Sequence, residues 1–149
     1  MSDEERLSHF KVDAYESPLM VGITVELDHV AKYLGKRLGI GENKGECATG
    51  VQYVFIKAAK PLGLTRTWKE GKKVKGNKIR PGTAIATFRN GKFANDHAAI
   101  FIEERKDGLW VWDQYNNPPK SWGKRLLRFT DKMHDRSNNG NLFHTIRKH

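Results

Sequence analysis

Two hydrophobic periods divide this chain, and the change from one to the other constrains its fold more than any other feature. From Cys47 onward, Ala48, Val51, Phe55, Ile56 and Ala59 recur at i, i+3, i+7, i+8 and i+11, which predicts a helix with one apolar face that ends at Pro61. A basic, glycine-rich stretch follows, "RTWKEGKKVKGNKIRPG", and beyond it the pattern becomes strand-like: "TAIATF", "HAAIFI", "LWVWDQY", "RLLRF" and "NLFHTI". Asn90-Gly91 in "RNGKF" is a hairpin-turn pair, and "EERKDG" and "SNNG" read as further turns. Ahead of the central helix, "LDHVAKYLGKRL" predicts a shorter one, capped by Asp28, with Val30, Leu34 and Leu38 on its apolar face and Gly39 and Gly41 ending it. Helices first and about five antiparallel strands afterwards make an α+β layout.

The length, 149 residues, fits one domain over 1–149, with residues 1–28 as an acidic lead-in. One cysteine permits no internal disulfide. The first residues, "MSDEERLSHFKVDAYESP", are acidic where a secretory signal would be basic and then apolar, and no run approaches the roughly 18 apolar residues of a membrane span. The expectation is a protein made in the cytoplasm without a signal peptide or membrane insertion, exported, if at all, by another route. Its formal charge is +10, yet residues 1–29 hold seven acids and two bases, so the remaining 120 carry +15. Such a field favours anionic partners, whether nucleic acid, a membrane surface or envelope polymers. Nucleic-acid binding or a ribonuclease is the weaker reading, because no recognition helix, phosphate-binding glycine loop or aromatic-basic strand motif is present. Lysines 69, 72, 73, 75 and 78 read as a solvated face.

The one thiol, Cys47, stands in the first turn of the predicted central helix. There the positive end of the helix and unpaired backbone N–H groups favour the thiolate, the nucleophilic form, while the neighbouring Glu46 opposes it unless its side chain points away. A base is needed, and His97, opening the strand "HAAIFI", is placed to supply it. His9, His29, His134, His144 and His149 lack a comparable setting. A third residue should orient the imidazole, and the next strand offers Asp113 and Gln114. If opposed residue numbers sum to 210, Asp113 faces His97; a sum of 211, which a six-residue loop from Glu103 to Gly108 gives, brings Gln114 there. Asp113 is the preferred reading, since a carboxylate stabilises imidazolium better than an amide does, and Gln114 is the alternative. Gly45, Ala48, Thr49 and Gly50 leave room at the thiol, and Glu46, Gln52 and Trp68 are candidates for a substrate cleft. Trp110 and Trp112 share the strand face opposite Asp113 and read as core or partner surface rather than a substrate platform. No spacing of His, Cys, Asp or Glu resembles a metal site, and no cofactor is called for.

The ordered set "GECATGVQ", "RPGTAIATF", "NDHAAIFI" and "WDQY" resembles the NlpC/P60 class of papain-like cysteine peptidases, which includes the CHAP amidases. With "WKEGKKVKGN" and "SNNG" added, it resembles a small bacterial family within that class, over residues 30 to 146. The resemblance implies a papain-like fold and hydrolysis of amide bonds in peptidoglycan stem peptides, with Cys47 as nucleophile, His97 as base and Asp113 as orienting residue. It further implies an antibacterial effector, secreted for example by a type VI system into a target cell's periplasm, with a cognate immunity protein and with anionic envelope polymers as a possible contact. Deamidation or acyl transfer on the same scaffold is the other chemistry it allows.

Overall fold

A computed structural model describes residues 22–39, 45–115, 121–132 and 135–148. Two short helices, α1 (Leu27–Ala31) and α2 (Cys47–Lys57), precede six strands: β1 (Lys69–Lys73), β2 (Ala84–Arg89), β3 (Lys92–Arg105), β4 (Gly108–Gln114), β5 (Trp122–Arg128) and β6 (Phe143–Arg147). Every pairing is antiparallel, in the order β1-β6-β2-β3-β4-β5, and β1 also reaches β3 through the pair Lys69 and Lys92. Among the described residues no helix is long and apolar enough to cross a membrane.

Strand alternation gives the sheet two apolar faces. On one, Ala84, Ala86, Ala98, Ile100 and Trp112 pack against Val51, Val54 and Phe55 of α2. On the other, Ile85, Ala99, Phe101, Val111, Leu127 and Phe143 form a second cluster, roofed by Val74, Ile79 and Phe129. Alanines on β2 and β3 let the helix approach closely, and the larger aliphatic side chains each contribute roughly 1.5–3 kcal/mol by leaving water.

The helical period is realised in α2, with an adjustment. The buried stripe is Gly50, Val51, Val54 and Phe55, while Ile56 is 47% exposed and Ala59 lies past the end, turned left-handed at φ 60°. Gly50 belongs to this stripe because a Cβ there would stand 3.0 Å from Gln114 Nε2. α1 is shorter than its pattern predicts. It starts after Glu26, so Asp28 sits in the first turn and caps nothing, and Leu34 is 65% exposed. Tertiary pairing stops this helix: Gly35 N–H donates to Trp122 O and Trp122 N–H to Lys36 O, both at 2.8 Å, which draws the chain onto the start of β5.

The sheet has six strands where five are predicted. The additional one, β1, lies in the stretch that reads as a basic loop. Its sequence, "KEGKK", has no apolar alternation, and pairing with β6 holds it: Lys72 N–H donates to Thr145 Oγ1 at 3.0 Å. Gly71 permits this, because a Cβ there would meet Thr145 Oγ1 at 2.2 Å. Asn90 and Gly91 both take positive φ, 54° and 77°, as a tight hairpin requires. The β3–β4 hairpin corrects both predicted registers. β3 continues to Arg105 and β4 starts at Gly108, leaving a two-residue turn; opposed numbers sum to 213 beside it and to 212 past a bulge at Ile102.

Candidate active site

At the far end of that hairpin from its turn, α2 starts beside His97. Cys47 is half-buried in the first helical turn, while His97 and Asp113 are each only 2% exposed. Neither predicted register is adopted, and Asp113 does not lie directly opposite His97. The two residues stand diagonally on one face of neighbouring strands, and His97 Nε2 donates to Asp113 Oδ2 at 2.7 Å. The imidazole is also hydrogen-bonded to the thiol of Cys47.

The electrostatics follow from these contacts. Burial pushes the Cys47 thiol up, but the hydrogen bond and positive charge of His97, together with the N–H groups of Ala98 and Ala48, bring it below its ordinary value. Burial alone would lower His97; hydrogen bonds from the imidazole to Asp113 and to the sulfur outweigh it and hold the ring above its ordinary value. Both shifts favour a thiolate beside an imidazolium. Glu46 is exposed and is not among the groups that move the thiol.

Gln114, on the other face of β4, is turned away from the imidazole. Its side chain ties down the chain before α2, accepting from Leu38 N–H at 2.5 Å and donating to Leu38 O and Glu46 O, both at 2.9 Å. It positions the segment that presents Cys47. The other cleft candidates separate. Glu46 lines a cavity of about 240 Å³ at the thiol, together with Asn95, Asp96, Tyr115 and Ser137. Gln52 donates to Gly63 O at 2.9 Å and lines a different, more apolar hollow with Ile56 and Leu64. Trp68 is 1% exposed, donates to Leu62 O at 3.1 Å and packs on Phe93, so it is a core residue and no part of this cavity. His144 turns Nδ1 to Gly71 O, 3.1 Å away, outside the site. Among the described residues no three His, Cys, Asp or Glu side chains group as metal ligands.

Several residues of the site escape the sequence reading. Arg125, on β5, donates from Nε to Asp113 Oδ2 at 2.7 Å and from Nη1 to Asn138 Oδ1 at 2.7 Å. Its Nη2 lies 3.3 Å from His97 Nε2, and its plane stacks 3.8 Å from the centre of the Tyr115 ring. Asn138 in turn donates to Tyr115 Oη at 2.8 Å. Arg136 pairs with Asp96 at 2.7 Å and Ser137 donates to Asp96 O at 2.9 Å, so the turn Arg136–Asn138 is stapled to the approach to His97. Asn95 in that approach is left-handed at φ 61°, a conformation that stores strain when it is not glycine. The one sequence signal for this shell is the "SNNG" turn, which contributes Asn138.

This arrangement can be set against known proteins. The family described as domesticated amidase effector 2 matches residues 19–146. The chain belongs to that family. Its similarity to the domesticated amidase effector 2 of Ixodes scapularis is 40% identity over 111 residues, 72% of this chain and 74% of the relative. A type VI secretion amidase effector 2 protein of Salmonella typhi is 39% identical over 103 residues, 64% of this chain and 71% of that protein. Among solved structures, a Type 6 secretion amidase effector 2 superposes with a TM-score of 0.68 at 27% identity, covering 84% of this chain and 94% of the other. Within the domesticated amidase effector 2 family, Cys47, His97 and Asp113 all fall inside the matched range.

Proposed function

We propose that this member of the domesticated amidase effector 2 family is a cysteine amidase of papain-like type that hydrolyses amide bonds in peptidoglycan stem peptides. The observation that carries the reading is the thiol at the head of α2, hydrogen-bonded to an imidazole whose Nε2 is held at 2.7 Å by a buried carboxylate. Family membership supports the reaction class, and the named relatives support antibacterial delivery by type VI secretion.

In the first half-reaction the Cys47 thiolate attacks the scissile carbonyl, backbone N–H groups at the start of α2 meet the oxyanion, and His97 gives its proton to the leaving amine. In the second half, water, deprotonated by His97, attacks the thioester; the C–S bond breaks, the carboxylic acid product leaves, and the Cys47 thiolate is restored beside the protonated imidazole. Asp113 keeps the imidazole in the orientation that serves both halves, and Arg125, donating to Asp113 Oδ2 at 2.7 Å, fixes the position of that carboxylate. An immunity protein that fills the cavity at Cys47 would block both steps.

The test is a digest of purified sacculi and of soluble muropeptides by the protein and by Cys47→Ala, with products identified by mass spectrometry. New amide cleavage by the parent, reduced at least about 10⁴-fold in the variant, is expected. Ammonia release without chain cleavage would move the assignment to deamidation, and cleavage that survives the substitution would end the cysteine mechanism.

A further inference from the structure

A different end of the sheet carries an arrangement that the amidase reading leaves unused. Four strand termini meet there, and at each of them the alternation puts a core residue inward and a cation outward: Trp68 and Lys69, Phe88 and Arg89, Phe93 and Lys92, Ile146 and Arg147. Register then aligns the cations. Arg89 is opposed to Lys92, Lys92 to Lys69, and Lys69 to Arg147, so the four stand in one row across β2, β3, β1 and β6. All four are exposed, and none of them forms an ion pair or a charged hydrogen bond with another described residue. Like charges directly opposed across strands destabilise a sheet. Three such oppositions in succession favour a ligand that supplies the missing negative charge.

We infer that Arg89, Lys92, Lys69 and Arg147 form a docking row for a linear phosphodiester polymer of the bacterial wall. Directly opposed residues stand about 5 Å apart, so the row runs roughly 15 Å, a line of charge rather than a single-anion pocket. That shape matches a chain with a phosphate in each repeat. A lipid surface fits less well, because the large exposed apolar side chains, Leu34, Ile56 and Leu64, belong to other parts of the molecule. Single-stranded nucleic acid also fits less well: the aromatics that alternate with the cations, Trp68, Phe88 and Phe93, face the core and offer no stacking platform. Lys92 and His97 lie five residues apart on β3, a Cα separation of at most roughly 18 Å, so a wall strand carrying the docked polymer lies within reach of the thiol. The inference rests on the amidase reading only for the setting in which the polymer is met.

Binding is measured with full-length protein carrying Cys47→Ala, so that the wall stays intact. One variant replaces the row (K69Q, R89Q, K92Q, R147Q) and a control removes equal charge from exposed lysines elsewhere (K32Q, K36Q, K106Q, K132Q). On sacculi that bear phosphodiester polymer, the row variant should bind at least about tenfold more weakly and lose most of its salt dependence, while the control changes less than about threefold. Sacculi stripped of the polymer should bind parent and variants alike. Equal losses in row and control would overturn the inference in favour of diffuse charge, as would a parent that keeps its full advantage over the row variant on stripped sacculi. Tighter row-dependent binding to phosphatidylglycerol vesicles or to RNA would also overturn it and reassign the surface. The row substitutions placed in the Cys47 protein should leave hydrolysis of soluble muropeptides unchanged. If that parent cuts none while binding still follows the row, the amidase reading fails and the docking row stands.

Discussion

The two ends of β3 handle charge in opposite ways. Near His97 the charged groups are withdrawn from water and each is answered: imidazole by carboxylate, carboxylate by guanidinium, guanidinium by Asn138 and the face of Tyr115. At Lys92 the cations are exposed, and their cross-strand neighbours in the row are cations too. A buried charge without a partner costs several kcal/mol, whereas an exposed like pair costs a fraction of one. One end is therefore built for stability of a single arrangement, and the other tolerates repulsion in exchange for an open, anion-seeking surface.

The difference can be broken most severely at Asp113. Asp113→Asn removes the largest influence that holds His97 above its ordinary value of 6.5 and takes away the ion pair of Arg125. The rate should fall about 10³-fold or more. The sign on pH follows directly: with the imidazolium less stabilised, His97 loses its proton at lower pH, and the alkaline limb of kcat/KM moves down. Stability should drop by about 1–3 kcal/mol, read from urea midpoints. An alkaline limb that stays in place would show that Asp113 does not act through His97.

Arg125→Gln probes the same corner with the opposite sign. The guanidinium stands 3.3 Å from His97 Nε2 and shares the carboxylate with it, so its charge opposes the imidazolium. Its removal should let His97 keep its proton longer and move the alkaline limb up, while looser positioning of Asp113 lowers kcat by roughly ten- to a hundredfold. Arg125→Lys should restore much of the limb and less of kcat, because lysine keeps the charge and loses the planar fork. A lower kcat with no movement of the limb would reduce Arg125 to a packing role.

Gln114→Leu separates presentation of the thiol from its chemistry. Three hydrogen bonds that fasten Leu38 and Glu46 ahead of α2 disappear, at a cost of about 2 kcal/mol. Activity should fall about tenfold, with both pH limbs in place. A shifted limb would return Gln114 to the charge network.

The same contrast explains what could be read from the sequence. The central helix and its thiol were legible because Val51 and Phe55 of the predicted apolar face do lie on the buried stripe. His97 was legible as the polar residue ahead of the apolar run "AAIFI", although it does not open its strand, since β3 already begins at Lys92. β1 was not, since "KEGKK" carries no apolar alternation and is held by backbone pairing and the close approach of Gly71 to Thr145. The register of β3 and β4 was out of reach for two reasons: the turn is two residues long inside an apparently polar loop, and a bulge at Ile102 resets the count. For Trp68 the basic neighbours leave cleft lining and packing equally open in the sequence; the fold buries it, 1% exposed. Arg125 depends on how β5 meets β4, which the intervening polar segment conceals, and residues 1–21, with most of the acidic lead-in, lie outside the described residues.

The smallest effect sharpens the contrast most. Lys69 is one of the two inner members of the row, opposed on both sides, to Arg147 and to Lys92. Lys69→Glu therefore turns two like-charge oppositions into two attractive ones, and the folded state should gain up to about 1 kcal/mol, a rise in Tm of about 2–4 °C at low salt that shrinks as salt is added. A charge reversal near His97 would unfold or inactivate the protein; here it stabilises while breaking the row's affinity for the polymer. Stability and binding moving in opposite directions from one substitution is what a surface maintained for a ligand, at the expense of the fold, must show. If Lys69→Glu instead destabilises the protein, the cations are already neutralised within the chain, and the two ends of β3 are alike after all.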